Sequence, residues 1–387
     1  MTTIHIIYSR FLGEKNQLLI GGIESYIHLI AMALKDQAAV KVYQPTKGPS
    51  KSQFVFDIIE VVGCGPLGLH QLVKLVEREY WRPGDIILFA SDQYCSNTSV
   101  APSIVIQHGI GWDVPMWGLT NKKICQKLET IYRLRVNLLN LWRVRKFKNI
   151  VCVDYNYVNW YRTFAPDRLR NKRVWIIPNT AGPHIEAGGE KGQWFYKDER
   201  EKKKVTISFI RRFTRLRGVY LAMNLAKKLT NRYDAVEFLF CGDGDEEIIK
   251  KIDSLCLKNK AVKRIICPYS EIDRVYRRSD IVIIPSLGSE GSSLAAIEAM
   301  AAGKCVVASN VGGLTNIIID SYNGVLVGPR IDEFYYVLAR LVEKPEEHKQ
   351  IGERAYEVYR RSFSFSRWQE KWIGCVNEVL EQARSNL

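Results

Sequence analysis

Short apolar runs alternate with amphipathic stretches along the whole chain. Residues 4–8 read as a strand, and residues 25–34, apolar at helical spacing, as the helix that follows it. Further strands are predicted at 55–62, 85–90, 103–107, 149–153 and 174–177 in the first half. In the second half they fall at 205–210, 236–240, 281–284 and 305–308. Strand and helix in alternation predict parallel sheets built from βαβ units. The clearest unit is the stretch 280–313, DIVIIPSLGSEGSSLAAIEAMAAGKCVVASNVGG. Its apolar run Ile281–Ile284 is ended by Pro285. A small-residue loop runs from Ser286 to Ser293, a helical run follows at 294–302, and Cys305 to Ala308 restarts the strand pattern. In such units ligands sit beyond the carboxyl ends of the strands. The new helix offers free backbone N–H groups and the positive end of its dipole, which suits an anion and most naturally a phosphate.

The stretch 187–204 is rich in glycine and charge and has no apolar period, so it reads as a linker between two domains, 1–185 and 200–362. A chain of 387 residues has room for two domains with substantial cores, and 47% hydrophobic against 25% charged residues excludes a disordered chain. The nine cysteines lie mostly inside apolar runs, with no CxxC pair, and are expected to be buried thiols of a reducing compartment. Residues 1–9 read as a strand rather than a secretory signal, and no apolar run approaches the ~20 residues of a membrane helix. A cytoplasmic protein is expected.

Charge changes the picture in one place. The formal net charge is +15, and residues 121–148 hold nine Lys/Arg against one acid, Glu129. Ile124, Leu128, Ile131, Leu134, Leu138 and Leu141 recur there at helical spacing, with Trp142 and Phe147 as aromatic anchors. A basic amphipathic helix of this kind fits an anionic membrane surface. The alternative is a helix packed by its apolar face with its charges solvated. No nucleic-acid recognition motif accompanies the charge, and no nucleic-acid partner is expected.

The candidate chemistry centres on Glu290 and Glu298, with seven residues between them around the predicted helix start. A carboxylate beside a phosphate is unfavourable unless it has other work. Ionised oxygens accept well from neighbouring sugar hydroxyls, and a phosphate between two hydroxyl-bearing rings describes a nucleotide-sugar. Alternatively, Glu290 only favours the helix dipole and Glu298 is a solvated helix residue. Arg211, Arg212, Arg215 and Arg217 follow the strand at 205–210, where guanidinium forks suit a diphosphate. Gly21 and Gly22 open the helix at 25–34 and permit close approach to an anion. His108, just past the strand at 103–107, is placed to donate a hydrogen bond to a sugar oxygen or to developing charge. Two motifs are set aside. Gly63 to Gly68 spells G-x-G-x-x-G, but Pro66 removes an N–H and Asp85 begins a strand, so it reads as a turn. Asp243 and Asp245 form a D-x-D whose flanking glycines also indicate a turn.

The string E290-GSSLAAI-E298-AMAAG-KCVVAS resembles the E-x7-E signature of the family 4 glycosyltransferases, which are retaining enzymes of the GT-B fold. Residues 211–218 resemble that family's G-R-L-x3-K-G, with Arg212 in the Arg place, Arg217 in the Lys place and Arg211 where glycine is usual. Gly21-Gly22-Ile23-Glu24, Gln107-His108-Gly109 and Ile177-Pro178-Asn179 also fall in step, and Gly242-Asp243-Gly244 matches a turn that holds no metal there. The resemblance implies an α/β protein of two Rossmann-like βαβ domains facing a cleft, with residues 363–387 crossing back onto the first. It implies a metal-independent hexosyltransferase with no cofactor. Its donor would be a nucleotide-diphosphate sugar, its acceptor a hydroxyl of a glycan or polyprenyl-linked molecule, and its role cell-surface polysaccharide biosynthesis; the basic, aromatic first domain leads to the expectation of a lipid-linked acceptor at the inner membrane face. Arg212, Arg217 and the amides of Gly291, Ser292, Ser293 and Leu294 would hold the diphosphate. Glu298 would hold the ribose and Glu290 the donor sugar, with His108, Glu290, Arg212 and Arg217 nearest the reacting bond and Gly21 and Gly22 facing the phosphates. An epimerase or phosphorylase of the same fold, or an inactive relative that binds glycan or lipid, are the alternative readings.

Overall fold

The computed structural model describes residues 2–12, 22–48, 52–98, 101–109, 131–132, 134–135, 138–139, 142–165, 169–190, 204–268, 271–288 and 290–385. Two compact units divide the chain. One comprises Met1–His108, Thr130–Pro178 and Ser366–Leu387, and Asn179–Phe365 falls in the other.

The described elements of the first unit begin with β1 (Thr2–Ile7), α1 (Gly22–Leu34), β2 (Ala38–Gln44), β3 (Ser52–Phe56), β4 (Ile59–Gly63), α2 (Leu69–Glu79) and β5 (Ile86–Phe89). They continue with β6 (Ser103–Gln107), β7 (Asn149–Cys152), α3 (Tyr155–Phe164) and β8 (Arg173–Ile176). The strands form one sheet in the order β3-β4-β2-β1-β5-β6-β7-β8, parallel except that β3 pairs antiparallel with β4. The single strand expected at 55–62 is therefore a hairpin. Asp57 turns the chain at φ 52°, a left-handed conformation that aspartate tolerates, and splits the run in two. Strand β1 carries one buried polar side chain, His5, whose ring nitrogens meet the Tyr43 hydroxyl at 2.9 Å and the Asp85 carboxylate at 3.2 Å.

The second unit opens with α4 (Pro183–Glu190), which runs into the predicted linker; residues 191–203 of that linker lie outside the described residues. Then follow β9 (Val205–Ile210), α5 (Val219–Arg232), β10 (Val236–Cys241), α6 (Glu246–Lys258), β11 (Val262–Ile265), α7 (Ile272–Arg278) and β12 (Ile281–Ile284). The unit closes with α8 (Leu294–Ala301), β13 (Cys305–Ser309), α9 (Leu314–Ile317), β14 (Val325–Val327), α10 (Ile331–Glu343) and α11 (Pro345–Ser362). Its sheet, all parallel, runs β11-β10-β9-β12-β13-β14. Helices cover both faces, which is why its strands read as unbroken apolar runs rather than alternating ones. In β12, Ile281 and Ile283 enter one core with Phe209, Phe238 and Phe240, while Val282 and Ile284 enter the other with Met300 and Tyr276.

A last helix, α12 (Phe365–Ser385), packs within the first unit. Trp368 and Trp372 are buried edge-on against Tyr26 of α1, and Gln369 Nε2 donates to the Ala33 carbonyl at 2.8 Å. The fold is α/β with two Rossmann-like parallel-sheet domains.

Candidate functional site

Strands β9 and β12 are neighbours in the second sheet, so the residues that leave them meet at its carboxyl edge. Arg211 leaves β9, and Pro285 and Ser286 leave β12. The Arg211 guanidinium donates through Nη1 to Ser286 Oγ at 2.9 Å and through Nη2 to the two Glu290 oxygens at 3.0 and 3.1 Å. Arg217 Nη1 donates to Glu290 Oε2 as well, and Ser286 Oγ donates to the same oxygen at 2.6 Å. The Arg211 and Glu290 side chains are 7% and 5% exposed, against 39% for Arg217. Arg211 Nε is buried and has no hydrogen-bond partner among the described residues. Burial alone would raise the Glu290 carboxyl; the two guanidiniums and the Ser286 hydroxyl outweigh it and bring the carboxyl down to about 2.

Two glycines make this geometry accessible. Gly218, at φ 76°, lets the Arg217 turn close on β12: a Cβ there would lie 1.8 Å from the Pro285 carbonyl oxygen. Gly312, at φ 53°, would place a Cβ 2.2 Å from the Glu290 carbonyl oxygen, and that carbonyl accepts from Gly313 N at 2.6 Å. Glu290 is thus fixed at both backbone and side chain.

Glu298 lies on α8, whose small apolar residues are buried on every side. It is 5% exposed, so the solvated-helix alternative does not hold. Its Oε2 accepts from the buried Tyr276 hydroxyl at 2.8 Å, which ties α8 to α7. Gly291, Ser292 and Ser293 form the turn into α8, and Leu294 is the helix's first residue. Ser292 anchors that turn. Its Oγ accepts from Asn179 N at 2.9 Å and its carbonyl accepts from the Asn179 amide.

From the sequence, Arg212 and Arg217 are expected on a diphosphate; in the structure Arg212 is exposed, and the second cation at Glu290 beside Arg217 is Arg211. The sequence showed Arg211 as one of four cations after the strand and as a departure from a pattern; its place at the end of β9, next to the end of β12, is what brings it to the carboxylate. Ser286 and Tyr276 were missed as site residues: Ser286 meets Arg211 from another element and Glu290 within its own loop, and Tyr276 meets Glu298 from another helix. His108 does follow β6, but its Nε2 is 2.8 Å from the Ala90 carbonyl and must donate there. Burial lowers its pKa to about 4, so the neutral ring is left with Nδ1 as an acceptor, not the expected donor. Gly22 is the first residue of α1 and is exposed, while Gly21 lies outside the described residues. Asp245 caps α6 through Glu247 N at 2.9 Å and Asp243 accepts from Gly244 N at 2.8 Å, as a turn requires. Among the described residues no group of three or more His, Cys, Asp or Glu is placed to hold a metal ion.

Of the basic stretch 121–148, the described residues show Ile131, Leu134, Leu138 and Trp142 exposed. Arg145 and Lys146 lie over the Trp142 ring at 5.2 and 5.8 Å. Phe147 is no surface anchor: it is buried, 5.4 Å from Phe89. Ile124 and Leu128 lie outside the described residues. Among the described residues no helix is long and apolar enough to cross a membrane.

Residues 190–358 match the family model described as glycosyl transferases group 1. A trehalose synthase of Pyrococcus horikoshii is 26% identical over 230 residues, 55% of this chain and 54% of that protein. A D-inositol 3-phosphate glycosyltransferase of Segniliparus rotundus is 30% identical over 166 residues, 41% of this chain and 36% of that protein. The chain thus spans about half or less of the length of the curated relatives it matches. The sucrose-phosphate synthase of Thermosynechococcus elongatus superposes with a TM-score of 0.74 at 17% identity, over 99% of this chain and all of its own. Anabaena HepE, solved with UDP-glucose, superposes with a TM-score of 0.67 at 15% identity, over 98% of this chain and all of its own. Residues 190–358 are thus similar to the glycosyl transferases group 1, and the chain has the GT-B fold.

Proposed function

We propose that the chain transfers a hexose from a nucleotide-diphosphate sugar to a hydroxyl of a glycan or lipid-linked acceptor, with retention at the anomeric carbon and without a resident metal. The observation that carries this reading is the pair of buried carboxylates around the start of α8, Glu290 held by two guanidiniums and Glu298 by a tyrosine. Fully ionised, Glu290 accepts hydrogen bonds from sugar hydroxyls, and Glu298 does the same for the ribose. Arg212, Arg217 and the amides of Gly291 to Leu294 offset the charge that grows on the departing diphosphate. The buried Arg211 Nε, unpartnered among the described residues, supports an oxygen-rich ligand at this edge. HepE, a neighbour in fold, binds UDP and UDP-glucose, which makes uridine the first base to test.

In this reading the acceptor hydroxyl attacks from the face the phosphate leaves. The bond from the anomeric carbon to the phosphate oxygen breaks as the new glycosidic bond forms, and the hydroxyl proton passes to the departing phosphate. An inverted product anomer or a trapped glycosyl-enzyme adduct would refute it. The exposed apolar residues among the cations of 131–148 support an acceptor presented at an anionic membrane surface, as in cell-surface polysaccharide assembly.

The test is thermal stabilisation by UDP, GDP, dTDP and ADP, on wild type and on Glu298→Gln. At a 100-fold excess over Kd one nucleotide should stabilise the wild type by about 2.7 kcal/mol, and the variant less. No stabilisation by any of the four overturns the reading.

A further inference from the structure

Arg211 stands where the G-R-L-x3-K-G pattern has a compact residue, yet the molecule buries its guanidinium and gives it the Glu290 carboxylate as partner. The two Glu290 oxygens are not equivalent. Oε2 accepts from Arg211, Arg217 and Ser286, which fills it. Oε1 meets Arg211 at 3.0 Å and, unlike Oε2, neither Arg217 nor Ser286, so it retains acceptor capacity. One nitrogen, Nη2, reaches both carboxylate oxygens, while Ser286 Oγ holds the other, Nη1; the planar guanidinium is thus fixed at two points, and the carboxylate is held against it. An ammonium in the same place would supply charge to Glu290 without the second nitrogen that Ser286 holds.

We propose that Arg211 is a positioning residue for the donor's sugar: it holds Glu290 so that Oε1 accepts from a sugar hydroxyl, and recognition of the sugar, as distinct from the nucleotide, depends on it. This rests on the glycosyltransferase reading. The groups facing Glu290 are Arg211 from the end of β9, Arg217 from the turn before α5, Ser286 from the end of β12 and Ser293 from the turn into α8; Tyr276 of α7 acts in turn on Arg211. With Arg211 removed, Arg217 is the one remaining described cation at the carboxylate, and it is the more exposed of the two.

The test compares UDP with UDP-glucose, UDP-galactose and UDP-N-acetylglucosamine by titration calorimetry. If the wild type prefers another base, that diphosphate and its sugar esters replace the uridine set. Wild type, Arg211→Lys, Arg211→Met and Glu290→Gln are measured at pH 7 and pH 5. Arg211→Met is expected to weaken the tightest sugar nucleotide about tenfold more than the free diphosphate, a loss in the range a small misplacement produces. Its sugar-nucleotide affinity should also fall from pH 7 to pH 5, where an unclamped carboxyl takes up a proton. Arg211→Lys should restore the pH profile but only part of the tenfold preference, and Glu290→Gln should reproduce the loss of preference. If Arg211→Met does not fold, the Lys variant still decides, because it keeps the buried carboxylate compensated. Equal losses for diphosphate and sugar nucleotide, or a lower melting temperature with preference and pH profile unmoved, would overturn the proposal. A folded wild type that binds no diphosphate at all would instead refute the glycosyltransferase reading on which it rests.

Discussion

Replacing Glu290 by Gln should make the protein less stable at pH 7 and have a shrinking effect as the pH falls. The Glu290 carboxyl is at about 2 in the folded chain, against an ordinary value of 4.5. A lowered carboxyl means that the unfolded chain binds the proton more tightly, so the contribution to stability is fully present above pH 4.5 and is lost as the pH falls toward 2. At 1.36 kcal/mol per unit the contribution at pH 7 is about 3 kcal/mol, and about 1 kcal/mol of it remains at pH 3. The Gln side chain cannot ionise, so the difference between wild type and Glu290→Gln should follow that curve. Other groups respond to acid too. Burial lowers His5 and His108, whose contributions are present above pH 6.5 and are lost as pH falls below it, but they are common to both proteins and cancel in the difference. Urea unfolding at pH 7, 5, 4 and 3 measures the difference, and hydrogen exchange on β9 and β12 peptides assigns it to the second unit. A difference that stays constant from pH 7 to pH 3 would refute the account of the clamp.

Two further predictions concern backbone and surface. Gly218→Ala places a Cβ on a left-handed residue and into the Pro285 carbonyl, which should cost on the order of 3 kcal/mol and lower Tm by several degrees; an unchanged melting curve would show that the turn can relax. Liposome flotation should recover the protein with anionic vesicles and not with neutral ones, and Leu138→Ser with Trp142→Ala should weaken that binding about tenfold. Equal binding to both vesicles, or to neither, counts against an electrostatic dock.

Much of the second unit was legible because its signals are local. The run Ile281–Ile284, the stop at Pro285, the small-residue loop and the helix ending near Gly303 fall within one βαβ unit, and all appear where the pattern puts them. What the sequence hid depends on contacts between elements. The register of β9 against β12 decides that Arg211 rather than Arg212 meets Glu290. Nothing in the spacing of 79 positions announces it. Cys241 and Cys267, 26 residues apart, come to 3.6 Å between sulfurs because β10 and β11 are sheet neighbours. The hairpin at 52–63 was hidden differently: Asp57 takes a left-handed conformation that the apolar run gives no reason to expect. Phe147 reads as part of an amphipathic face until its burial against Phe89 removes it from the surface.

The charges at the carboxyl edge of the second sheet are poorly explained by folding alone. A buried ion pair must repay the desolvation of both partners, and apolar residues of similar volume often serve stability as well or better. This edge buries Arg211 and Glu290 together, leaves Arg217 half-exposed on the same carboxylate, and keeps Arg212 exposed in the same turn. Even with Glu298 counted, the arrangement carries more cationic than anionic charge among the described residues, with Glu290 clamped and the outer cations reachable from solvent. An anionic ligand bearing hydroxyls would use both parts at once: its phosphates would meet the outer guanidiniums, and its hydroxyls the fixed carboxylate. A bare phosphate would need no buried Glu290, and a neutral sugar would need no surplus of arginine. The two together support the proposed donor, a sugar joined to a diphosphate, and that support draws on the charges alone, independently of the matched family.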